Sequence, residues 1–491
     1  MSCQVNDAAC WEQAARLLPT RHHECPIPRR TPAQERIWFL EQAYPGHARL
    51  RVASGARIVG PLCTHALQNA IDRVFARHDV LRSSFGAPPQ TLSATRPELT
   101  VDSLSEAPGS AAQALACQRW IAVNAGTPQD LGQPPLLRAH LLRLADTEHL
   151  LLLCAHRYIC DEEALDMLLG EIANSLDGSL PDGPSIPTFA DFVAWQEAQQ
   201  TTLLTHWRER LVGATEVLEL PTDRARPAIQ GHQGASLPLP LPGPLVDRLR
   251  ALAARHALDL PGVFLAAFAA LLQRYSGQND LVIGLRSSYR AQAPFSRLVG
   301  PLDNILVLRL PISADAGTDT LLQRCGEALA DARAHAGLPF ERLIEALQPS
   351  RTLGYAPICQ MLFDYRTASA ATLPAGAVTL HPFAVDLGSA DHDLSLRVDD
   401  DGDHLVARLI YDPALFDETT LQRIAGHYLN LLDDLAADTR KPAATLRLLG
   451  DSEWRQLVDE WNATDGDYPA DSSLAACRTL PLPPAEYATI I

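Results

Sequence analysis

The sequence predicts an α/β protein built as two lobes. Three observations carry that expectation. Helix-like and strand-like periodicities alternate in both halves, a Pro- and Gly-rich stretch from Gly213 to Pro244 separates the halves, and 491 residues exceed one ordinary core of roughly 100–200 residues. Hydrophobic residues at 47% and charged residues at 20% fit a folded globular chain, not a disordered or fibrous one.

Leu67, Ala70, Ile71, Val74 and Phe75 recur at helical spacing and predict a helix over Leu62–His78. Four consecutive leucines, Leu150–Leu153, lie in the run His149–Ile159, the pattern of a strand covered on both faces. A helix is expected directly afterwards, striped by Leu165, Leu168, Leu169 and Ile172. Asp161-Glu162-Glu163 stand at its start, where the helix dipole favours negative charge. The second half repeats the rhythm: a helix carrying Leu245, Leu249 and Leu252, a buried helix Gly262–Tyr275, then a strand Leu281–Gly284. The expected organisation is an N-terminal extension (1–28), a first lobe (29–212), an exposed linker (213–244), a second lobe (245–464) and a flexible tail (465–491) marked by Pro469, Pro481, Pro483 and Pro484.

Charge excludes several partner classes. Against 58 acidic residues stand 41 basic ones, of which only Lys441 is a lysine, and the net charge is −17. A chain this acidic repels phosphate backbones and anionic lipids, and its basic stripes are as short as Arg29-Arg30. The longest apolar run, Gly262–Leu272, falls well short of the roughly 20 residues that span a bilayer. No secretory signal pattern opens the chain, so the cytoplasm is the expected compartment. Ten cysteines without a C-x-x-C pair read as reduced, mostly buried thiols. Cys154, His156 and Cys160 match no common zinc spacing, and neither His22-His23 nor His335 has metal-ligand partners at readable spacing. Asp399-Asp400-Asp401 reads as an exposed turn. No metal and no cofactor of its own is expected.

Several segments, in order, carry a family likeness. They are Thr31-Pro32-Ala33-Gln34-Glu35-Arg36-Ile37-Trp38, Arg77-His78-Asp79-Val80-Leu81-Arg82-Ser83-Ser84-Phe85, Phe189-Ala190-Asp191-Phe192-Val193-Ala194-Trp195 and Arg274–Asp280 leading into Ile283-Gly284. Val299-Gly300 to Asp303-Asn304-Ile305-Leu306, His335 to Phe340-Glu341, and Pro357–Phe363 complete the set. From about Arg30 to Tyr468 the chain thus resembles the condensation-domain superfamily of nonribosomal peptide synthetases. The resemblance implies two chloramphenicol-acetyltransferase-like lobes forming a V-shaped pseudo-dimer around a central tunnel, into which carrier-bound acyl thioesters enter from opposite faces.

The condensing members carry His-His-x-x-x-Asp-Gly at the tunnel centre, with the second His serving the attacking amine. This sequence reads His156-Arg157-Tyr158-Ile159-Cys160-Asp161-Glu162 instead. A guanidinium stays protonated to pH 12 and beyond and has no lone pair to offer, so Arg157 cannot act as a general base. Glu162 puts a charged side chain where the family has glycine, and we expect it to pair with Arg157 and plug the tunnel. No residue is therefore expected to be catalytic; His156, Arg157, Asp161 and Glu162 form a degenerate motif. Within the resemblance Asp161 is the bracing Asp and Arg290 its partner, a structural ion pair. His156 matches a mainly structural His, with action on a substrate left open, and Cys154 and Cys160 are expected to be core packing.

The heterocyclising and epimerising branches carry other motifs. Members with a damaged centre serve as docking platforms: X domains of glycopeptide assembly lines recruit haem-thiolate monooxygenases, and interface domains of siderophore synthetases work with non-haem iron, 2-oxoglutarate-dependent hydroxylases. The resemblance thus implies a catalytically inactive interface domain that recruits a tailoring oxygenase to an amino acid tethered on the phosphopantetheine arm of a carrier protein. The iron or haem would belong to the partner. An initiating Met with an N-terminal extension leans the expectation toward the siderophore class. The alternatives are an atypical condensation enzyme forming an amide or ester, by positioning or through His156, and a structural spacer.

Overall fold

The computed structural model describes residues 30–84, 91–104, 106–107, 109–181, 183, 187–313, 316–350, 352–367 and 372–463. The expected N-terminal extension and proline-marked tail lie outside these residues, as do His22 and His23. Two compact units divide at Leu448, and the second carries a short helix, Asp451–Arg455, running on as a π-helix to Glu460.

The first unit holds two lobes, each built on a six-stranded sheet. The first lobe has the strands β1 (Arg51–Val59), β2 (Leu99–Ser103), β3 (Leu137–Ala145) and β4 (Glu148–His156), with helices α1 (Pro32–Ala43), α2 (Thr64–Arg77), α3 (Ala111–Gly126) and α4 (Glu162–Leu176). Helix α5 (Phe189–Leu211) is 23 residues long and belongs to both lobes, since Phe189, Phe192 and Trp195 sit in the first core while Trp207 and Leu211 sit in the second. The second lobe has β5 (Ala235–Leu239), α6 (Gly243–Arg255), α7 (Leu260–Ser276), β6 (Asp280–Ser288), β7 (Asp303–Pro311), α8 (Thr318–Ala334), α9 (Phe340–Leu347) and β8 (Met361–Thr367). The chain then returns to the first lobe with β9 (Leu373–Ala375) and β10 (Val378–Ala384), and closes the second with β11 (Leu394–Asp400), β12 (Leu405–Tyr411) and α10 (Glu418–Ala437).

The strand order is β9-β10-β1-β4-β3-β2 in the first sheet and β5-β12-β11-β8-β6-β7 in the second. The lobes therefore do not follow chain order. Antiparallel pairing of β10 with β1, from Ser54 opposite Ala384 to Val59 opposite Thr379, carries part of the second half into the first sheet. The linker 213–244 is not merely an exposed connection, because β5 lies within it and edges the second sheet beside β12. Both exchanges satisfy backbone groups that would otherwise be exposed sheet edges.

The periodic elements fall where their apolar residues put them. The five residues that predict α2 are the five it buries, and β4 is buried from His149 to His156. Leu151, Leu153 and Ala155 join the core under α2 and α4, while Leu152 and Cys154 meet Trp120 and Ile121 of α3 on the other face. Helix α7 buries Pro261 through Leu272 and is the centre of the second core. No single described helix is long and apolar enough to cross a membrane; α6 and α7 reach that threshold only as a pair bent by 105°.

Sheet two presents its other face to the space between the lobes. Along β8, Met361 and Phe363 enter the core while Leu362 and Asp364 line the inter-lobe cavity; along β11, Leu394, Leu396 and Val398 go inward while Ser395 and Arg397 face the cavity. This period-two alternation sets charged side chains in a row opposite the first lobe.

Candidate functional site

Strand β4 ends at His156, a tight turn follows, and α4 begins at Glu162. The turn is tied down at both ends. Arg157 N donates to Leu50 O at 2.7 Å and Ile159 N to His156 O at 3.0 Å, while Asp161 caps α4 by accepting from Ala164 N at 2.7 Å. Gln34, the fourth residue of the opening motif and part of the capping box of α1, donates through Nε2 to Tyr158 O at 3.0 Å. The opening motif thus steadies the central one.

His156 is buried and lines neither of the two cavities between the lobes. Its Nδ1 accepts from Tyr158 N at 3.1 Å, which assigns the proton to Nε2, 3.5 Å from Glu41 Oε2. Burial, with a smaller push from Arg51, lowers its pKa to about 4, so the ring is neutral at pH 7. Cys154 and Cys160 are buried free thiols, and burial pushes Cys154 up to about 12.

Asp161 and Arg290 meet at 2.9 Å with both side chains almost fully buried. Asp161 Oδ2 also accepts from Leu302 N at 2.7 Å. Arg290 spends its remaining donors on Leu298 O, Gly300 O and Glu163 Oε2, all between 3.0 and 3.2 Å. The segment bearing Arg290 leaves β6 of the second lobe, yet Tyr289, Phe295 and Leu298 bury in the first core. The pair therefore pins a crossing segment where the two lobes join, with its buried donors and acceptors paired.

Arg157 and Glu162 do not pair with each other, which corrects the expectation from sequence. Arg157 Nη1 reaches Asp391 Oδ2 at 3.3 Å, and Glu162 Oε2 accepts from Arg366 Nη1 at 2.6 Å and Arg397 Nη1 at 2.9 Å. The reason is direction. Glu162, in the first turn of α4, faces the charged row on sheet two, whereas Arg157 faces the loop before β11. Burial works to raise the Glu162 carboxyl, but Arg366, Arg286, Arg397 and Arg157 overcome it and hold it well below the usual carboxylate range. Asp391 is likewise held down by Arg49 and Arg157 against the pull of burial.

These charges form a wall. A cavity of roughly 500 Å³ is lined among others by Arg157, Glu162, Arg286, Asp303 and Arg397, and a second of about 100 Å³ among others by Arg51, Ser54, Asp166 and Arg408. Arg157, Glu162 and Arg397 line both. The arrangement offers fixed positive and negative charge but no unprotonated base at position 157.

The remaining motif residues hold structure around this centre. His78 Nε2 lies 2.9 Å from Glu171 Oε2, and Asn304 donates to Ala336 O and Leu338 O and accepts from Phe340 N, joining two motifs. Gly300 permits close approach of Phe189, which an added Cβ would meet at 2.7 Å. Of the acidic run, only Asp401 lies beyond the strand: Asp399 and Asp400 are the last two residues of β11, Asp399 pairing with Arg397 and Arg408 and Asp400 accepting from Tyr365 Oη at 2.6 Å. His335 is brought beside His206 and Asp331, a grouping the sequence does not reveal. Nor does the sequence single out Arg366, Arg397 and Asp391. The readable signal for the first two is the charged residue at alternate positions of otherwise apolar strands; Asp391, in a loop, has no such signal.

A condensation-domain family model matches residues 29–458. Malpibaldin synthetase of Mortierella alpina is 32% identical over 89% of this chain, which spans 8% of that synthetase. The phosphinothricin tripeptide synthetase PhsC of Streptomyces viridochromogenes is 36% identical over 89% of the chain, which spans 42% of it. Among solved structures, the X-domain from teicoplanin biosynthesis superposes with a TM-score of 0.77 at 26% identity, covering 88% of this chain and all of that one. The same X-domain in a complex with OxyB gives 0.76 at 25%, covering 89% and 98%. The two lobes are the chloramphenicol-acetyltransferase-like pair of condensation domains, and the chain belongs to the condensation-domain family of nonribosomal peptide synthetases.

Proposed function

We propose that this chain is a catalytically silent condensation-like domain that docks a tailoring oxygenase beside a carrier-bound amino acid. The observation that carries the reading is the ionic wall. The glycine position of the central motif holds Glu162, clamped by Arg366 and Arg397, and the second histidine position holds Arg157, tied to Asp391. In this reading the wall keeps apart two thioester arms entering from opposite faces, and no imidazole stands at position 157; His47, His232 and His392, which line the larger cavity, lie outside the motif. Loss of a general base alone forgoes about 10²–10⁴ in rate. Docking in place of catalysis raises effective concentration, because the tethered substrate and the partner then share one scaffold. The likeness to an X-domain solved with OxyB supports this reading.

The test is calorimetric titration of the chain against two candidates from the same biosynthetic system: a haem-thiolate monooxygenase and a non-haem iron, 2-oxoglutarate-dependent hydroxylase. Binding of one in the range up to tens of micromolar is expected, and its identity separates the glycopeptide-type from the siderophore-type reading. Binding of neither overturns the proposal. A second reading, an atypical condensation enzyme, is favoured by the identity to synthetase segments and by the open roughly 500 Å³ cavity. It requires product by mass spectrometry from donor- and acceptor-loaded carrier proteins.

A further inference from the structure

We propose that His206, Asp331 and His335 form a binding site for a divalent first-row metal ion, zinc above all, at the place where α5 enters the second lobe. The three residues come from two helices distant in sequence: His206 from α5, Asp331 from the last turn of α8, and His335 from its C-cap. One potential ligand atom from each lies within 4.8 Å of the others. His206 Nε2 is 3.5 Å from Asp331 Oδ2, and His335 Nδ1 is 3.2 Å from Asp331 Oδ1. Ligands held about 2.0–2.1 Å from a tetrahedral zinc stand about 3.3 Å apart, and each imidazole already lies near that distance from one of the two Asp331 oxygens. Two imidazoles and a carboxylate suit zinc better than calcium or magnesium, and three protein ligands leave a fourth position for water.

The juxtaposition is built into the packing. Trp207 Nε1 donates to His335 O at 3.2 Å, and Gly337 lets the chain after α8 approach so closely that an added Cβ would stand 2.9 Å from Leu203. One group calls for a partner: His206 Nε2 is shielded from solvent and has no hydrogen bond among the described residues. The two rings stack at 3.5 Å and 7°, so their lone pairs run parallel. Coordination requires His206 to turn about χ2 and His335 Nδ1 to release its hydrogen bond to Asp331 O. Both side chains are about 30% exposed, so neither is enclosed by the core. Arg210, 3.7 Å from Asp331 Oδ2 and itself substantially exposed, turns outward when the cation enters.

The test uses the full chain, prepared without a polyhistidine tag and stripped with a chelator, and Zn²⁺ alone as the probe. Titration calorimetry should give one saturable site, and thermal unfolding should shift upward with zinc. His206→Ala and Asp331→Asn, each with an unchanged circular dichroism spectrum, should weaken binding by at least about tenfold. Co²⁺ should give the intense visible bands of a four-coordinate site in the parent chain and not in His206→Ala. Absence of saturable zinc binding, or binding unaltered by both variants, overturns the proposal.

Discussion

Asp161 and Glu162 are neighbours at the start of one helix, yet they meet opposite environments. Asp161 turns into a buried junction bordering the larger cavity and is satisfied by Arg290, the N-terminus of α4 and Leu302 N. Glu162 turns into the space between lobes and is satisfied by Arg366 and Arg397. The first contact joins the lobes at the border of the larger cavity. The second stands where an acyl-transfer centre needs open space. The proposed loss of the centre at residue 162 therefore leaves the ion pair at residue 161 in place.

The largest effect expected is on the buried side. Arg290→Ala leaves Asp161 buried without its cation, along with the carbonyls of Leu298 and Gly300 that Arg290 served. Breaking one partner of such a pair costs about 3–5 kcal/mol, so chemical denaturation should show a loss of that size. A loss under about 1 kcal/mol would mean that water replaces the guanidinium at the junction.

Next comes an acid dependence. His156 is held neutral with a pKa of about 4, against about 6.5 in an unfolded chain. The unfolded state binds the extra proton first, so stability is lost as the pH falls from about 6.5 toward 4, by about 3 kcal/mol for this one group. His232, lowered to about 4 by burial and by Arg49, adds a loss in the same window. His156→Gln should flatten part of the slope of stability against pH. An unchanged slope would show that His156 titrates normally in the folded chain and is open to solvent.

How much of this was legible differs by scale. Helix α2 and strand β4 could be read because their burial repeats within a single element, at helical spacing or as an unbroken apolar run. The exchange of β10 into the first sheet could not, since pairing with β1 joins residues more than 300 apart and leaves no local pattern. At the site, the chemistry of Arg157 was legible from its side chain alone, while its partner was not. Both Arg157 and Glu162 choose partners on the second lobe, and only the twist of two packed sheets decides which charges face each other. His206 and His335 were invisible as a pair for the same reason.

The smallest cost in stability is expected on the cavity side, and it is the most informative. Glu162→Gly removes a partly exposed carboxylate, but Arg366 keeps Asp364 and Arg397 keeps Asp399, so the loss should be about 1–2 kcal/mol. Its effect on chemistry separates space from basicity. Glu162→Gly opens the wall and supplies no base; Arg157→His supplies a base and leaves the wall standing. Each single variant should therefore yield little product from loaded carrier proteins, while the double variant should exceed the sum of both, toward the roughly 10² or more that a placed base contributes. Equal turnover in Arg157→His alone would show that the two cavities already communicate and that Glu162 is no barrier. Turnover in the parent chain equal to the double variant would place catalysis elsewhere in the cavity and remove the silent-domain reading.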